Sequence, residues 1–440
     1  MPTALADQVQ PEIRAPQWRF TQRIAFRFCF VYFGLYCFST QIITALFPVR
    51  NIDIPDLSTF WPIRPIVFWT AAHVFRVSQP LVYSGSGSGD KTFDWVLVFC
   101  ILLISLAAAG IWSALDRRRL NYINLYKWFR LFVRFCLAGQ MITYGMFKAI
   151  PLQMPYLFLF RLVERYGDFS PMGVLWSSIS ASPRYETFTG CAELLGGMLL
   201  IFPRTTTLGA LICLADMIQV FTLNMTYDVP VKLLSFHLIL LSLFLLAPDL
   251  KRLANVFVLN RDSAPSPLHP LFAGRRASRI AVAAQVVVGV WLLGANADSC
   301  RVDWYRSGSG RTLPPLHGIW EVEQQSSDGQ IRAPLLTDDG RWRRIVFDVP
   351  TRVFFQRIDD SYAWHGVTVD VNNKTLVLTD DHDKNWKANF SFERPAPDRL
   401  ALEGSMDGHA VRMELKRIDP KQFLLVNRGF HWIQEYPFNR

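Results

Sequence analysis

The chain has 440 residues, of which 51% are hydrophobic, 14% aromatic and only 19% charged, with a formal net charge of +10. Its mean hydropathy is +0.18. Soluble globular domains carry about 25% charged residues, and disorder needs low hydrophobicity with high charge. A nucleic-acid binder would raise the charged fraction through its basic surface, and seven cysteines are too few for a disulfide scaffold. The class left is a polytopic membrane protein, in which a basic excess reports topology.

Taken in chain order, seven runs are apolar enough for spans of roughly 17–25 residues. They are 24–47, 93–115, 131–150, 186–202, 206–223, 231–247 and 280–297. The run 60–77 is broken by Pro62, Arg64, Pro65, His73 and Arg76, and reads as a re-entrant or interfacial helix. The stretch 151–165, opened by Pro151 and Pro155, reads the same way. The first 20 residues are polar and hold Pro2, Pro11 and Pro16, and no small-residue cleavage pattern follows the first span. That span is therefore expected to stay as an anchor.

With a cytoplasmic N-terminus, the inner segments hold 17 Lys/Arg and the outer loops 9, which supports that orientation. An odd number of spans then puts the C-terminus outside. Residues 298–440 carry a net charge of −1, and the preceding 297 residues carry +11. Cys29, Cys37, Cys100, Cys136, Cys191 and Cys213 lie in the spans, and Cys300 stands alone beyond them.

Beyond 297 the pattern becomes antiparallel β. Short β-branched and aromatic runs at 318–325, 342–349, 353–358, 362–371, 375–379, 386–392, 399–403, 410–418 and 423–427 are separated by turn residues. Residues 371–374 and 405–408 have hairpin-loop composition. Such strands build a closed up-and-down barrel or a sandwich. The opening Gly318-Ile319-Trp320 resembles the Gly-x-Trp start of lipocalin-like barrels. The Ser/Gly stretches 84–89 and 307–310 lack the context of a phosphate-binding loop and read as loops. The organisation expected is a two-span region with an interfacial segment (1–125), a four-helix core (126–260), a linker with the seventh span (261–297) and a β domain (298–440).

The chemistry, if any, lies in polar groups inside the spans, since ionisable groups there are costly and are paired or functional. Glu193 is mid-span, with Ala192, Gly196 and Gly197 beside it to admit another helix. Asp216 has Gln219 at i+3, and Gln140, Tyr144 and Lys148 recur at i, i+4, i+8 as one stripe. Asp228 and Lys232 form an i, i+4 pair where Asp228 can cap the sixth span, and His237 lies one turn deeper. Each has a bland reading: a snorkelling Lys148, a capping Asp228, a satisfied interior His237. Haem would need two intramembrane histidines, and no Cys-x-x-Cys or His-x-x-x-His supports zinc.

The region 130–261 resembles the DoxX-like membrane proteins. The residues that carry the resemblance are Tyr144-Gly145-x-x-Lys148, Gly190-x-x-Glu193-x-x-Gly196-Gly197-x-Leu199-Leu200, Pro203-Arg204-Thr205-Thr206 with Leu208-Gly209-Ala210, and Asn224-x-x-Tyr227-Asp228-Val229-Pro230-Val231-Lys232 with His237. Gly87-Ser88-Gly89-Asp90 and the terminus from His431 to Arg440 resemble a long subgroup of that family. The resemblance implies a four-helix core, a bacterial inner membrane and, from some relatives, a subunit of a quinone-linked redox system with a redox protein partner. It carries charged positions onto Lys148, Glu193 and Arg204, and its longer pattern onto Asp228 and Lys232. The chain departs from a short core of that family in its first two spans, its seventh span and its β domain.

Two functions follow. In the first, Glu193 and Lys148 exchange protons with a quinone head group, and Tyr144, Asp228, Lys232 and His237 contact it. In the second, the helices are a non-catalytic scaffold in the bilayer, presenting the periplasmic β domain to an apolar ligand or a partner. The chain lacks any nucleophile–base or metal constellation, and a transporter reading lacks a duplicated pair of broken helices.

Overall fold

The fold is that of a computed structural model, which describes residues 17–49, 54–266, 270–381, 383 and 386–439. The polar leader before Gln17, together with Arg50, His382 and Arg440, lies outside the described residues. Helices follow in chain order as α1 (Phe20–Ser39), α2 (Gln41–Thr44), α3 (Ile63–His73), α4 (Thr92–Leu115), α5 (Ile123–Ala149), α6 (Pro171–Ser180), α7 (Pro183–Ile201), α8 (Thr206–Thr226), α9 (Lys232–Leu246), α10 (Leu250–Phe257) and α11 (Arg275–Arg306). Each of the seven expected apolar spans falls on these helices, the first divided between α1 and α2 at the extended Thr40.

Among the described residues, four stretches are long and apolar enough to cross a membrane: Thr92–Leu115, Thr206–Thr226, Lys232–Phe257 and Arg275–Arg306. The other helices on expected runs carry more charge or polar surface, as α5 does with Arg130, Arg134 and Lys148. The chain divides into two compact units, one of residues 1–146 with 190–299, the other of residues 147–189 with 300–440.

The first unit is a helical bundle with a shared aromatic and aliphatic core that includes Phe26, Tyr36, Phe93, Phe129, Met141 and Leu241. Close helix approach depends on glycines. A Cβ on Gly145 would lie 2.6 Å from the Leu194 backbone N, and one on Gly197 would lie 2.9 Å from the Ile142 side chain. A Cβ on Gly196 would press on Cys213 of α8 at 2.8 Å. These contacts seat α7 against both α5 and α8, as small residues do where helices pack by van der Waals contact. Arg27 is 2% exposed. Its guanidinium bonds the Tyr122 hydroxyl, the Ser113 hydroxyl and the Asp116 carbonyl, and Tyr122 donates to the Asp116 carboxylate.

In the second unit the strands are β1 (Gly318–Ser327), β2 (Gln330–Ile331), β3 (Trp342–Val349), β4 (Arg352–Arg357), β5 (Tyr362–Asp370), β6 (Thr375–Thr379), β7 (Lys387–Ala396), β8 (Arg399–Met406) and β9 (His409–Ile418). Neighbours pair in sequence order, and β1 also pairs β9, from Ile319 opposite Ile418 to Ser327 opposite Val411. The sheet is therefore an eight-stranded antiparallel barrel, with two-residue β2 as a flap on β1. Closure removes the open edges that a sandwich would leave. Inward side chains make a continuous core including Trp320, Phe347, Phe355, Phe390 and Met413, and Trp320 donates its indole N–H to the Leu316 carbonyl at 2.8 Å.

Three expectations are corrected here. The stretch 151–165 is no interfacial helix. Leu159, Phe160, Leu162 and Val163 cover outward-facing Ile319, Val346 and Phe354 of the barrel. Leu159 N–H donates to Asp348 at 2.7 Å and Gln356 donates to the Val163 carbonyl at 2.9 Å, so this strap is stitched as well as packed. Residues 423–427 are not a strand, because the barrel is already closed by β9 and the chain instead turns into α12 (Leu424–Asn427). The last apolar run does not end its helix at 297, since α11 runs on to Arg306. In the 371–374 turn, Lys374 takes φ 53°, and Asp370 accepts from the Asn372 and Asn373 backbone N–H groups.

His365 is 6% exposed inside the barrel unit, stacked on Trp386 with ring centroids 4.4 Å apart. Burial holds its imidazole below the ordinary histidine value, opposed by the Asp380 carboxylate 3.4 Å away. The unfolded chain therefore takes up the proton first as pH falls. Stability is expected to be full above about pH 6.5 and to decline below it. Thermal melts of the full chain, followed by tryptophan signals between about pH 7.5 and 5.5, should show this slope, and His365→Phe should flatten it.

Candidate functional site

Six of the residues singled out from the sequence, Tyr144, Lys148, Glu193, Asp228, Lys232 and His237, occupy three settings. The first surrounds His237, which is 1% exposed on α9. Its Nδ1 lies 2.7 Å from the Leu233 carbonyl and its Nε2 lies 2.8 Å from the Tyr32 hydroxyl. A carbonyl can only accept, so Nδ1 carries the proton, and in the neutral ring Nε2 accepts from Tyr32. One ring face stacks on Tyr36 at a centroid distance of 3.6 Å and an interplanar angle of 10°. Both nitrogens are thus engaged by the protein, and the imidazole ties α9 to α1.

The second setting lies on α5 and α7. Gln140 is 2% exposed and donates to the Gln41 carbonyl at 2.9 Å, while Gln41 donates to the Tyr144 hydroxyl at 3.1 Å. Two members of the expected stripe therefore converge on one residue of α2. Glu193 is 1% exposed and acts electrostatically on Tyr144. Lys148, the third member, sits in the last turn of α5 and belongs to the second unit. It lies within electrostatic reach of Glu186. Glu186 is fully buried and accepts from the backbone N–H groups of Gln153 and Met154 at 3.1 and 2.9 Å. Glu186 thereby pins the turn after α5, a role that its place at the head of an expected span did not suggest.

The third setting is the start of α9. Asp228 does not cap this helix. Its side chain is 83% exposed and pairs with Lys232 Nζ at 2.9 Å, and its backbone is left-handed at φ 53°. The cap is Asp90, whose two carboxylate oxygens accept from the backbone N–H groups of Lys232 and Leu233 at 2.8 and 2.9 Å. The first N–H groups of a helix have no partner within it, and a carboxylate there also meets the positive end of the helix dipole. The preceding Gly89 N–H donates to the Pro230 carbonyl at 2.8 Å, which holds the end of the Ser/Gly loop against the helix start. Asp90 stands 142 residues before Lys232, and only its place in the Gly87-Ser88-Gly89-Asp90 pattern marked it in the sequence.

Apart from these settings, the first unit contains a cavity of about 1270 Å³. Its lining includes Lys127, Arg130, Arg134, Arg204 and Arg252 together with apolar side chains such as Phe26, Leu131 and Phe244. None of the six residues above lines it. Among those five cations the family resemblance marks only Arg204, and the sequence marks the others solely as part of the basic excess on the inner segments.

The chain matches no family model and, at a significant level, no solved structure. It is similar to the uncharacterized protein YwoB of Bacillus subtilis (strain 168), with 28% identity over 138 residues, covering 29% of this chain and 79% of that protein.

Removing the true cap should cost more than removing the exposed acid. Asp90→Ala is expected to destabilise the chain by about 1–2 kcal/mol, and Asp228→Ala by less than about 0.5 kcal/mol. Melting of the two variants in the same detergent checks the order.

Proposed function

We propose that this chain is a membrane scaffold: a DoxX-like bundle, completed to seven spans, that holds a lipocalin-like barrel outside a bacterial inner membrane for an apolar ligand or a protein partner. In this reading the N-terminus is cytoplasmic and the barrel periplasmic, supported by 17 basic residues on the inner segments against 9 on the outer ones. The bilayer is the bundle's partner. The observation that carries the scaffold reading is His237. Its two nitrogens are taken by Leu233 and Tyr32 and one face by Tyr36, so the most obvious proton-handling group of the bundle serves as a helix tie. The Asp90–Lys232–Asp228 cluster serves likewise as a helix start.

The quinone-linked reading draws support from a different observation, the burial of Glu193 beside Tyr144. A carboxylate in an apolar setting is a proton carrier or a member of an ion pair. The two readings separate on quinone content. The purified full chain in nanodiscs is expected to retain no stoichiometric quinone and to show no turnover with ubiquinol or menaquinol. About one quinone per chain, lost in Glu193→Gln, would overturn the scaffold reading in favour of the redox one.

A further inference from the structure

The 1270 Å³ cavity of the helical unit is the feature that neither reading uses. Its walls come from α1, α5, α8, α9, α10 and α11, and among the described residues no Asp or Glu lines it. Five cations do: Lys127, Arg130, Arg134, Arg204 and Arg252. Arg252 is balanced, since it pairs with Asp249 at 2.5 Å. Asp249 is fully buried and also accepts from Thr207 and Ser266 at 2.7 and 3.1 Å, so its oxygens are occupied.

Arg130 and Arg134 are different. They are 7% and 4% exposed, one helical turn apart on α5. Arg130 donates to the Leu245 carbonyl at 3.1 Å. Arg134 donates to the Thr206 hydroxyl at 3.3 Å and to the Gln285 side chain. Neither makes an ion pair within 4 Å among the described residues, and the Nε of each is buried without a hydrogen-bond partner. Tyr126 and, from farther off, Asp249 act on Arg130, whereas the charged neighbour of Arg134 is Arg130 itself. Arg27 in the same unit shows the contrast, for its guanidinium is saturated by Tyr122, Ser113 and Asp116. Two buried guanidinium groups side by side repel each other and have lost water, a costly arrangement unless an anion completes it. Arg134 also reaches the first residue of α8, where backbone N–H groups and the helix dipole favour negative charge.

We propose that the cavity binds a phosphate group on Arg130 and Arg134, with Lys127 and Arg204 at its rim, and that the group belongs to an anionic amphiphile whose chain lies along Phe26, Leu131 and Phe244. Guanidinium donors match phosphate oxygens in number and geometry, and the apolar part of the lining calls for a tail. All four cations sit on segments assigned to the cytoplasmic side, where anionic lipid head groups attract basic residues. A membrane lipid and a soluble phosphate share this chemistry, and the test separates them.

The full chain is placed in nanodiscs of phosphatidylcholine, of phosphatidylcholine with phosphatidylglycerol, and of phosphatidylcholine with added inorganic phosphate. Phosphatidylglycerol is expected to raise the melting midpoint by about 5 °C and to be retained at one molecule per chain through delipidation. Arg134→Gln is expected to weaken retention about tenfold. Lys127→Gln and Arg204→Gln, which disturb no buried bond, should reduce it too and keep the test open if Arg134→Gln does not fold. A matching rise with inorganic phosphate alone also supports the phosphate site and makes its source a soluble phosphate. Equal melting in all three discs overturns the proposal, and so does a response that survives all three substitutions.

Discussion

Polar groups buried in an apolar medium must be satisfied by the protein itself, and the helical unit is arranged around that constraint. Its hydroxyls turn back on their own helices, as Ser105 does to the Ile101 carbonyl at 2.6 Å and Ser242 to the Leu238 carbonyl at 2.8 Å. Longer side chains also reach other segments: Gln140 meets Gln41, Arg27 meets Tyr122 and Ser113, and His237 bonds both Leu233 on its own helix and Tyr32 on α1. Such bonds are worth about 0.6 kcal/mol each on average in a bilayer. Their larger effect is to set which helices meet and in what register. The glycines at 145, 196 and 197 complete the arrangement by letting α7 come close enough to α5 and α8 for continuous contact.

The same constraint takes another form in the β unit. A sheet satisfies its backbone only where it has neighbours, and the β1–β9 pairing leaves the barrel strands without a free edge. What stays exposed after closure is an apolar outer patch of Ile319, Val346 and Phe354, and the 159–163 strap covers it. The strap's backbone is paid for by Asp348 and Gln356. Residues 147–189 thus belong with a barrel that begins more than a hundred residues later, at Gly318.

Much of this was legible in the sequence because it rests on local pattern. Runs of apolar residues located the seven long helices, and alternation located eight strands, with 342–349 and 375–379 matching to the residue. What escaped was long-range. A Pro-rich apolar stretch at 151–165 has the composition of an interfacial segment, and nothing nearby shows that its partner is the outer face of β1, β3 and β4. Asp228 looked like a cap because it is close in sequence to α9, yet Asp90 reaches the same N–H groups from the far end of another loop. Residues 423–427 have strand composition, but the barrel had no edge left to pair with them. Among the candidate site residues, composition marked His237, Tyr144 and Glu193 as buried polar groups. Their partners, which decide between a helix tie and a reactive centre, are set by packing across the bundle.

Whether the buried polar groups hold the bundle together is best decided at the contact between α1 and α9. A double-mutant cycle with Tyr32→Phe and His237→Gln, read as unfolding free energy of the full chain in one bilayer mimic, isolates that bond. A coupling of about 0.6–1.7 kcal/mol is expected. Effects that add to within about 0.3 kcal/mol, in variants as stable as the parent, would contradict it.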